Sequence, residues 1–108
     1  MSSPIRIDTV SNPPHAVVLI RGEIDAATGP QLRTTIDELP PTVTMVELDL
    51  TEVTFVDSTG LGVIAGLVNR LQPVGGRITV RNPSSMVVRL LTVTDLFQYI
   101  TIIDDRPA

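Results

Sequence analysis

A chain of 108 residues with 43% apolar and 19% charged side chains suits one domain around an aliphatic core, and this composition excludes a disordered chain. Aromatics are 3% of the chain, lysine is absent and the net charge is −4, so neither base stacking nor counterion release at a phosphate backbone has material to work with, and no nucleic-acid partner is expected. With no cysteine and His15 as the only histidine, disulfides, thiolate or imidazole metal clusters and cysteine nucleophiles are excluded.

Ile5, Ile7 and Thr9 alternate with Arg6 and Asp8, which predicts a half-buried first strand, and Asn12-Pro13-Pro14 forces a turn. Ala16 to Arg21 is almost wholly apolar, the pattern of an interior strand, and Gly22 is expected to end it. Gly29-Pro30 opens a helix with Leu32, Ile36 and Leu39 on one stripe, and Pro40-Pro41 stops it. In the third strand Val46, Leu48 and Leu50 alternate with Glu47 and Asp49, so one face is apolar and the other acidic. Phe55-Val56 closes an apolar stretch, and Leu61, Ile64, Ala65, Val68 and Leu71 mark a helix after Ser58 that ends before Pro73 and Gly75-Gly76. Ile78 and Val80 lie between Arg77, Thr79 and Arg81 in a fourth strand. Asn82-Pro83-Ser84 leads into a helix expected to bury Met86, Val87, Leu90 and Leu91 on one face, and Tyr99 to Ile103 reads as a last strand.

The order β-β-α-β-α-β-α-β predicts an α/β fold over residues 1–108, with a mixed, mostly parallel sheet of about five strands. Strands one, three and four alternate instead of running apolar throughout, so all three helices are expected on one face of the sheet. No run approaches the ~18 apolar residues of a membrane span, and Met1-Ser2-Ser3-Pro4 lacks the features of a secretory signal; a cytoplasmic protein without membrane attachment is expected. Charge is uneven: residues 1–57 hold three arginines against nine carboxylates, and residues 58–108 hold five arginines against three. An acidic docking face for a basic partner would follow from that imbalance, as would a merely solvated surface.

The segment Phe55-Val56-Asp57-Ser58-Thr59-Gly60-Leu61-Gly62-Val63 puts a hydroxyl between a strand and a helix. As a hydrolase elbow it fails, because Val56 occupies the glycine position and the only base, His15, is expected in a loop beside two prolines. Gly60-Leu-Gly62-Val-Ile-Ala65 fits a dinucleotide pattern, yet the acid expected about 20 residues on is replaced by Val80-Arg81-Asn82. Gly62 and Gly66 are better read as allowing another backbone, of the sheet or a partner, to come close. Glu23, Asp25, Glu47, Asp49, Glu52 and Asp57 could supply an acid and base or oxygen ligands, but they lack calcium-loop spacing, and no metal or cofactor is expected. Asp57 or Ser58 could also simply cap the helix.

Two blocks carry a resemblance. Arg21-Gly22-Glu23-Ile24-Asp25 and Phe55-Val56-Asp57-Ser58-Thr59-Gly60-Leu61-Gly62-Val63, with Gly75-Gly76 and Asn82-Pro83 as a weaker third, resemble the motifs of STAS domain proteins of the anti-sigma factor antagonist (anti-anti-sigma) family. These are small bacterial regulators that release sigma factors by capturing anti-sigma kinases. The resemblance implies the STAS fold and a substrate and binder, not an enzyme. It makes Ser58 the phosphoacceptor, places Thr59 where a second acceptor sometimes stands, and assigns partner binding to Glu23, Asp25, Asp57, Ser58, Thr59, Gly60, Leu61 and Gly62. Implied partners are an anti-sigma factor with a histidine-kinase-like ATPase fold, acting as serine kinase, and a metal-dependent PP2C-type serine phosphatase. Other STAS domains serve as accessory subunits of ABC or anion-permease transporters, against which the full Asp-Ser-Thr-Gly-Leu-Gly block argues, and a nucleotide-sensing module is a further reading. Many relatives carry one more C-terminal helix, which Asp104-Asp105-Arg106-Pro107-Ala108 could barely begin.

Overall fold

The structure, a computed structural model, describes residues 4–107; the expectation drawn from Met1-Ser2-Ser3 lies outside them. Strands β1 (Arg6–Asn12) and β2 (His15–Ile24) form the antiparallel opening hairpin. They are followed by α1 (Gly29–Asp37), β3 (Met45–Val56), α2 (Ser58–Leu71), β4 (Arg77–Arg81), α3 (Ser85–Thr92) and β5 (Ile100–Ile103). The sheet order is β1-β2-β3-β4-β5, and β2 to β5 run parallel. Each right-handed crossover moves one place in the same direction along the sheet, so every helix lands on the same face. One core joins Ala16, Val18, Ile20, Val46, Leu48, Leu50, Ile78 and Val80 of the sheet to Leu32, Ile36, Leu67, Leu71, Val87 and Leu91 of the helices. The other face carries the half-buried Glu47–Arg81 ion pair at 3.0 Å. No helix of the described residues is long and apolar enough to cross a membrane.

Several expected boundaries move. Gly22 does not end β2; it has φ +106 inside the strand, which continues to Ile24, and His15 is the first residue of β2, not part of a loop. β2 is interior, as its composition suggested, but β3 takes the centre. Leu39 is buried just past the end of α1. Thr9 is exposed, and the apolar face of β1 fades beyond Ile7. The last strand begins at Ile100, and Tyr99 closes a 3-10 turn over Asp95–Tyr99.

β3 is longer than alternation predicts, and its pairing explains why. Leu19 pairs with Asp49 but Arg21 with Glu52, and Gly22 pairs with Val53 but Glu23 with Phe55. Each shift adds one residue to β3, so its inward positions run 46, 48, 50 and then 53, 56. The period of two is broken twice, and the strand reaches the helix junction with Phe55 turned 41% to solvent.

α2 comes close to the ends of β2 and β3 at Gly60, where a Cβ would stand 2.6 Å from Val56 Cγ1 and 3.0 Å from Ile24 Cγ2. The sheet does not approach Gly62 and Gly66; within the chain the nearest atoms to a Cβ there belong to the Arg33 guanidinium, at 3.9 and 3.7 Å. Arg70 ties the end of α2 to the end of α1. It donates to Ile36 O at 2.8 Å and Leu39 O at 2.6 Å, adding side-chain donors to carbonyls at the C-terminal end of α1, where Ile36 O also accepts from Leu39 N at 3.1 Å.

Beyond β5 the chain folds back onto the end of β4. Asn82, buried with φ 53, donates from Nδ2 to Thr51 Oγ1 at 2.9 Å and Asp105 Oδ1 at 2.6 Å, and its Oδ1 accepts from Asp105 N at 2.9 Å. Arg81 joins Glu47 and Asp105. The hydrogen bond from Asn82, then the Arg81 guanidinium, hold the Asp105 carboxyl below the usual aspartate range.

Two outcomes follow from this packing. Gly60→Ala overpacks a rigid β-branched neighbour and lowers stability by about 1–3 kcal/mol, whereas Gly62→Ala makes only an ordinary contact with the Arg33 guanidinium and gains up to about 1 kcal/mol of helix propensity; urea unfolding of both variants checks the contrast. Because the folded-state pKa of Asp105 is depressed, its contribution is complete above the ordinary aspartate range and is lost as pH falls through that range toward the folded value. Asp105→Asn therefore lowers the urea midpoint at neutral pH, and the difference from wild type narrows on acidification.

Candidate functional site

The two sequence blocks meet where β2 and β3 end. Glu23 pairs with Phe55 and Ile24 with Val56 in parallel register, and one step on Asp57 N donates to Ile24 O at 3.1 Å. The chain then turns into α2 with Asp57 extended (φ −106, ψ −168), and Asp57 Oδ1 accepts from Thr59 N at 2.8 Å. Asp57 is thus the N-cap. Ser58 is the first helical residue, exposed, with its hydroxyl not used in the cap.

Asp25 builds the neighbouring loop. Its Oδ1 accepts from Ala27 N at 2.9 Å and Thr28 N at 3.1 Å, and its carbonyl accepts from Gly29 N at 2.6 Å. The buried Thr28 hydroxyl donates to Glu23 O at 2.6 Å and accepts from Asp25 N at 3.0 Å, closing the loop on itself. A Cβ on Gly29 would stand 2.5 Å from Thr59 Cγ2, so this loop rests directly on the first turn of α2. Asp25 thus orders the loop that backs the first turn of α2.

Of the residues expected to bind a partner, Ser58 and Gly62 are exposed and Glu23, Asp25, Asp57, Thr59 and Leu61 are half-buried, Leu61 resting against the core. Gly60 is buried, and its place in the fold is packing. The sequence reading missed Thr28 and Gly29 as supports of the site, although Asp25-x-x-Thr28 has the spacing at which a side-chain oxygen satisfies nearby backbone N–H groups. It also passed over Phe55, the exposed aromatic beside Glu23.

The acidic half of the chain does not form one continuous face. Glu47 is paired with Arg81 and Glu52 with Arg21 at 2.7 Å, which leaves Glu23, Asp25 and Asp57 as the carboxylates gathered near Ser58. No histidine accompanies Ser58: His15 opens β2 and Ser58 lies beyond its far end, roughly 30 Å away at ~3.3 Å per strand residue. Among the described residues Ser58 therefore has no Ser–His pair. Gly60 faces Val56 and Ile24, so its backbone cannot cradle a pyrophosphate as the glycine pattern would require. Among the described residues no three His, Asp or Glu side chains converge as metal ligands. Cavities of about 260 Å³, lined by Val68, Gln72, Gly76 and Tyr99, and about 210 Å³, lined by His15, Met45, Glu47 and Arg77, open where the parallel strands begin, at the opposite end from Ser58.

Comparison with known proteins agrees with this geometry. The chain is 34% identical over 98 residues to the anti-sigma-B factor antagonist of Bacillus subtilis, covering 91% of this chain and 90% of that protein. Its fold matches the unphosphorylated form of the anti-sigma factor antagonist SpoIIAA with a TM-score of 0.76 at 22% identity, covering 95% and 90% of the two chains. It matches the phosphorylated form of the Bacillus cell fate determinant SpoIIAA with a TM-score of 0.74 at 22% identity, covering 94% and 93%. The family model of the STAS domain matches residues 6–107, and this chain belongs to the STAS domain family, among the anti-sigma factor antagonists.

Proposed function

We propose that this protein is a phosphorylation-switched antagonist of an anti-sigma factor in the cytoplasm. Unmodified, it binds the anti-sigma factor and frees a sigma factor; with phosphate on Ser58 it lets go. The observation that carries this reading is the division of labour at the junction: Asp57 caps α2, which leaves the adjoining Ser58 hydroxyl exposed and uncommitted.

In this reading the Ser58 hydroxyl, which has no histidine beside it, is modified by an external serine kinase, the role given to an anti-sigma partner with a histidine-kinase-like ATPase fold. In that step Ser58 Oγ attacks the γ-phosphorus of ATP, the bond to the bridging oxygen breaks, ADP leaves, and the hydroxyl proton passes to a base of the kinase. A PP2C-type phosphatase reverses the modification by hydrolysis. Thr59 is the less suited acceptor, being half-buried and in contact with Gly29.

Unpaired N–H groups and partial positive charge at a helix N-terminus favour an anion there, so phosphate on Ser58 leaves the domain folded. The cost falls on the complex. About −1.5 to −2 of charge is added where Glu23, Asp25 and Asp57 already gather, and this raises the desolvation and repulsion at an interface. Phe55, exposed beside Glu23, supplies an apolar anchor on the same edge.

Ser58→Asp is expected to melt at or slightly above the wild-type temperature yet to lose at least about tenfold in affinity for the anti-sigma factor, a change of ~1.4 kcal/mol, while Ser58→Ala binds like wild type. Calorimetric titration with circular-dichroism melting reads both, and unchanged affinity of the Ser58→Asp protein contradicts the switch.

A further inference from the structure

The groove between α1 and α2 holds a cation that the switch as described does not use. Arg33 follows Gly29 by four residues and so shares its face of α1, the face turned toward α2. Gly29 rests on Thr59, and one turn on, the Arg33 guanidinium lies over α2: a Cβ on Gly62 would be 3.9 Å from Nη2 and one on Gly66 3.7 Å from Nη1. Ser58, Gly62 and Gly66 stand four residues apart and line one face of that helix. Arg33 thus sits on the face that begins with Ser58.

It is also uncommitted. The ion pairs among the described residues are made by Arg21, Arg81 and Arg106, and Arg70 is spent on the carbonyls at the end of α1. Arg33 is exposed and takes part in none of them. Asp37, one turn further along α1, lies on the side away from Ser58, and Asp57 is engaged by Thr59 N.

We propose that Arg33 is the internal counter-ion of Ser58 once that residue is phosphorylated, its planar fork donating to two phosphate oxygens drawn along α2 over Gly62. This rests on reading Ser58 as the phosphoacceptor. Side chains at i and i+4 on a helix begin about 5–6 Å apart, a gap spanned by a phosphate on Ser58 together with the flexible arginine stem. Gly62, lacking a side chain, leaves the lane between them open. Guanidinium suits the task because it grips phosphate bidentately, whereas an ammonium acts as a point charge. Modification then changes the surface twice: it adds an anion, and it withdraws the free cation that the unmodified protein offers a partner beside Ser58.

The test uses full-length protein with phosphoserine installed at position 58 during translation, so it needs neither kinase nor anti-sigma partner and can fail or succeed independently of the switch. Phosphorus NMR across pH follows the second ionisation of the phosphate in wild type, Arg33→Gln and Arg33→Lys. The phosphate is expected to bind its second proton about threefold more weakly in wild type than in Arg33→Gln, with Arg33→Lys in between. A purely structural role for Arg33 would not move this readout, and the melt of each unmodified variant reports its fold separately. Superimposable titrations of wild type and Arg33→Gln overturn the proposal.

Discussion

The site depends on the parallel pairing that ends β2 and β3 together. Ile24 lies beside Val56, and Ile24 O then accepts from Asp57 N, so the chain leaves both strands at one level. Gly60 presses its backbone onto those same two side chains, Val56 and Ile24, and fixes the angle at which α2 departs. Asp25 and its loop follow β2 and support the first turn of α2 through Gly29 and Thr59. Two blocks about thirty residues apart in sequence therefore make one edge, and Ser58 is displayed by a closely packed corner of the fold.

Such placement separates two demands that commonly fall on one residue. A helix start needs a cap, and a switch needs an accessible hydroxyl; here Asp57 meets the first and Ser58 the second. The similarity of this chain to SpoIIAA in its unphosphorylated and phosphorylated forms, with TM-scores of 0.76 and 0.74, belongs to the fold alone. Arg33 reaches over α2 from α1 beyond the two blocks, and in the proposed modified state it is the group that meets the phosphate.

Element order, the antiparallel hairpin, the parallel remainder of the sheet and the one-sided helices were legible in the sequence, because period-two and period-3.6 patterns record which face meets the core. Legibility failed where backbone geometry overrode pattern. Two added residues in β3 shift its inward positions to Val53 and Val56, so alternation stops at Leu50 while the strand continues. Gly22 reads as a stop signal, yet a positive φ within a strand serves equally to let β2 run on to Ile24. The glycines of α2 look alike in sequence; only the direction of each missing Cβ shows that Gly60 faces Val56 while Gly62 and Gly66 lie under Arg33. The support given by Thr28 is a local hydrogen-bond pattern that hydrophobic periodicity does not record.

The central claim is that the exposed Ser58 hydroxyl beside the Asp57 cap is where a partner kinase writes its signal. Incubating the protein with ATP and an anti-sigma factor that binds it, and following intact mass over time, tests this most directly. The account predicts addition of one phosphate to wild type and none to Ser58→Ala. Phosphate appearing on Ser58→Ala, or a bound and ATP-competent kinase leaving wild type unmodified, would contradict it.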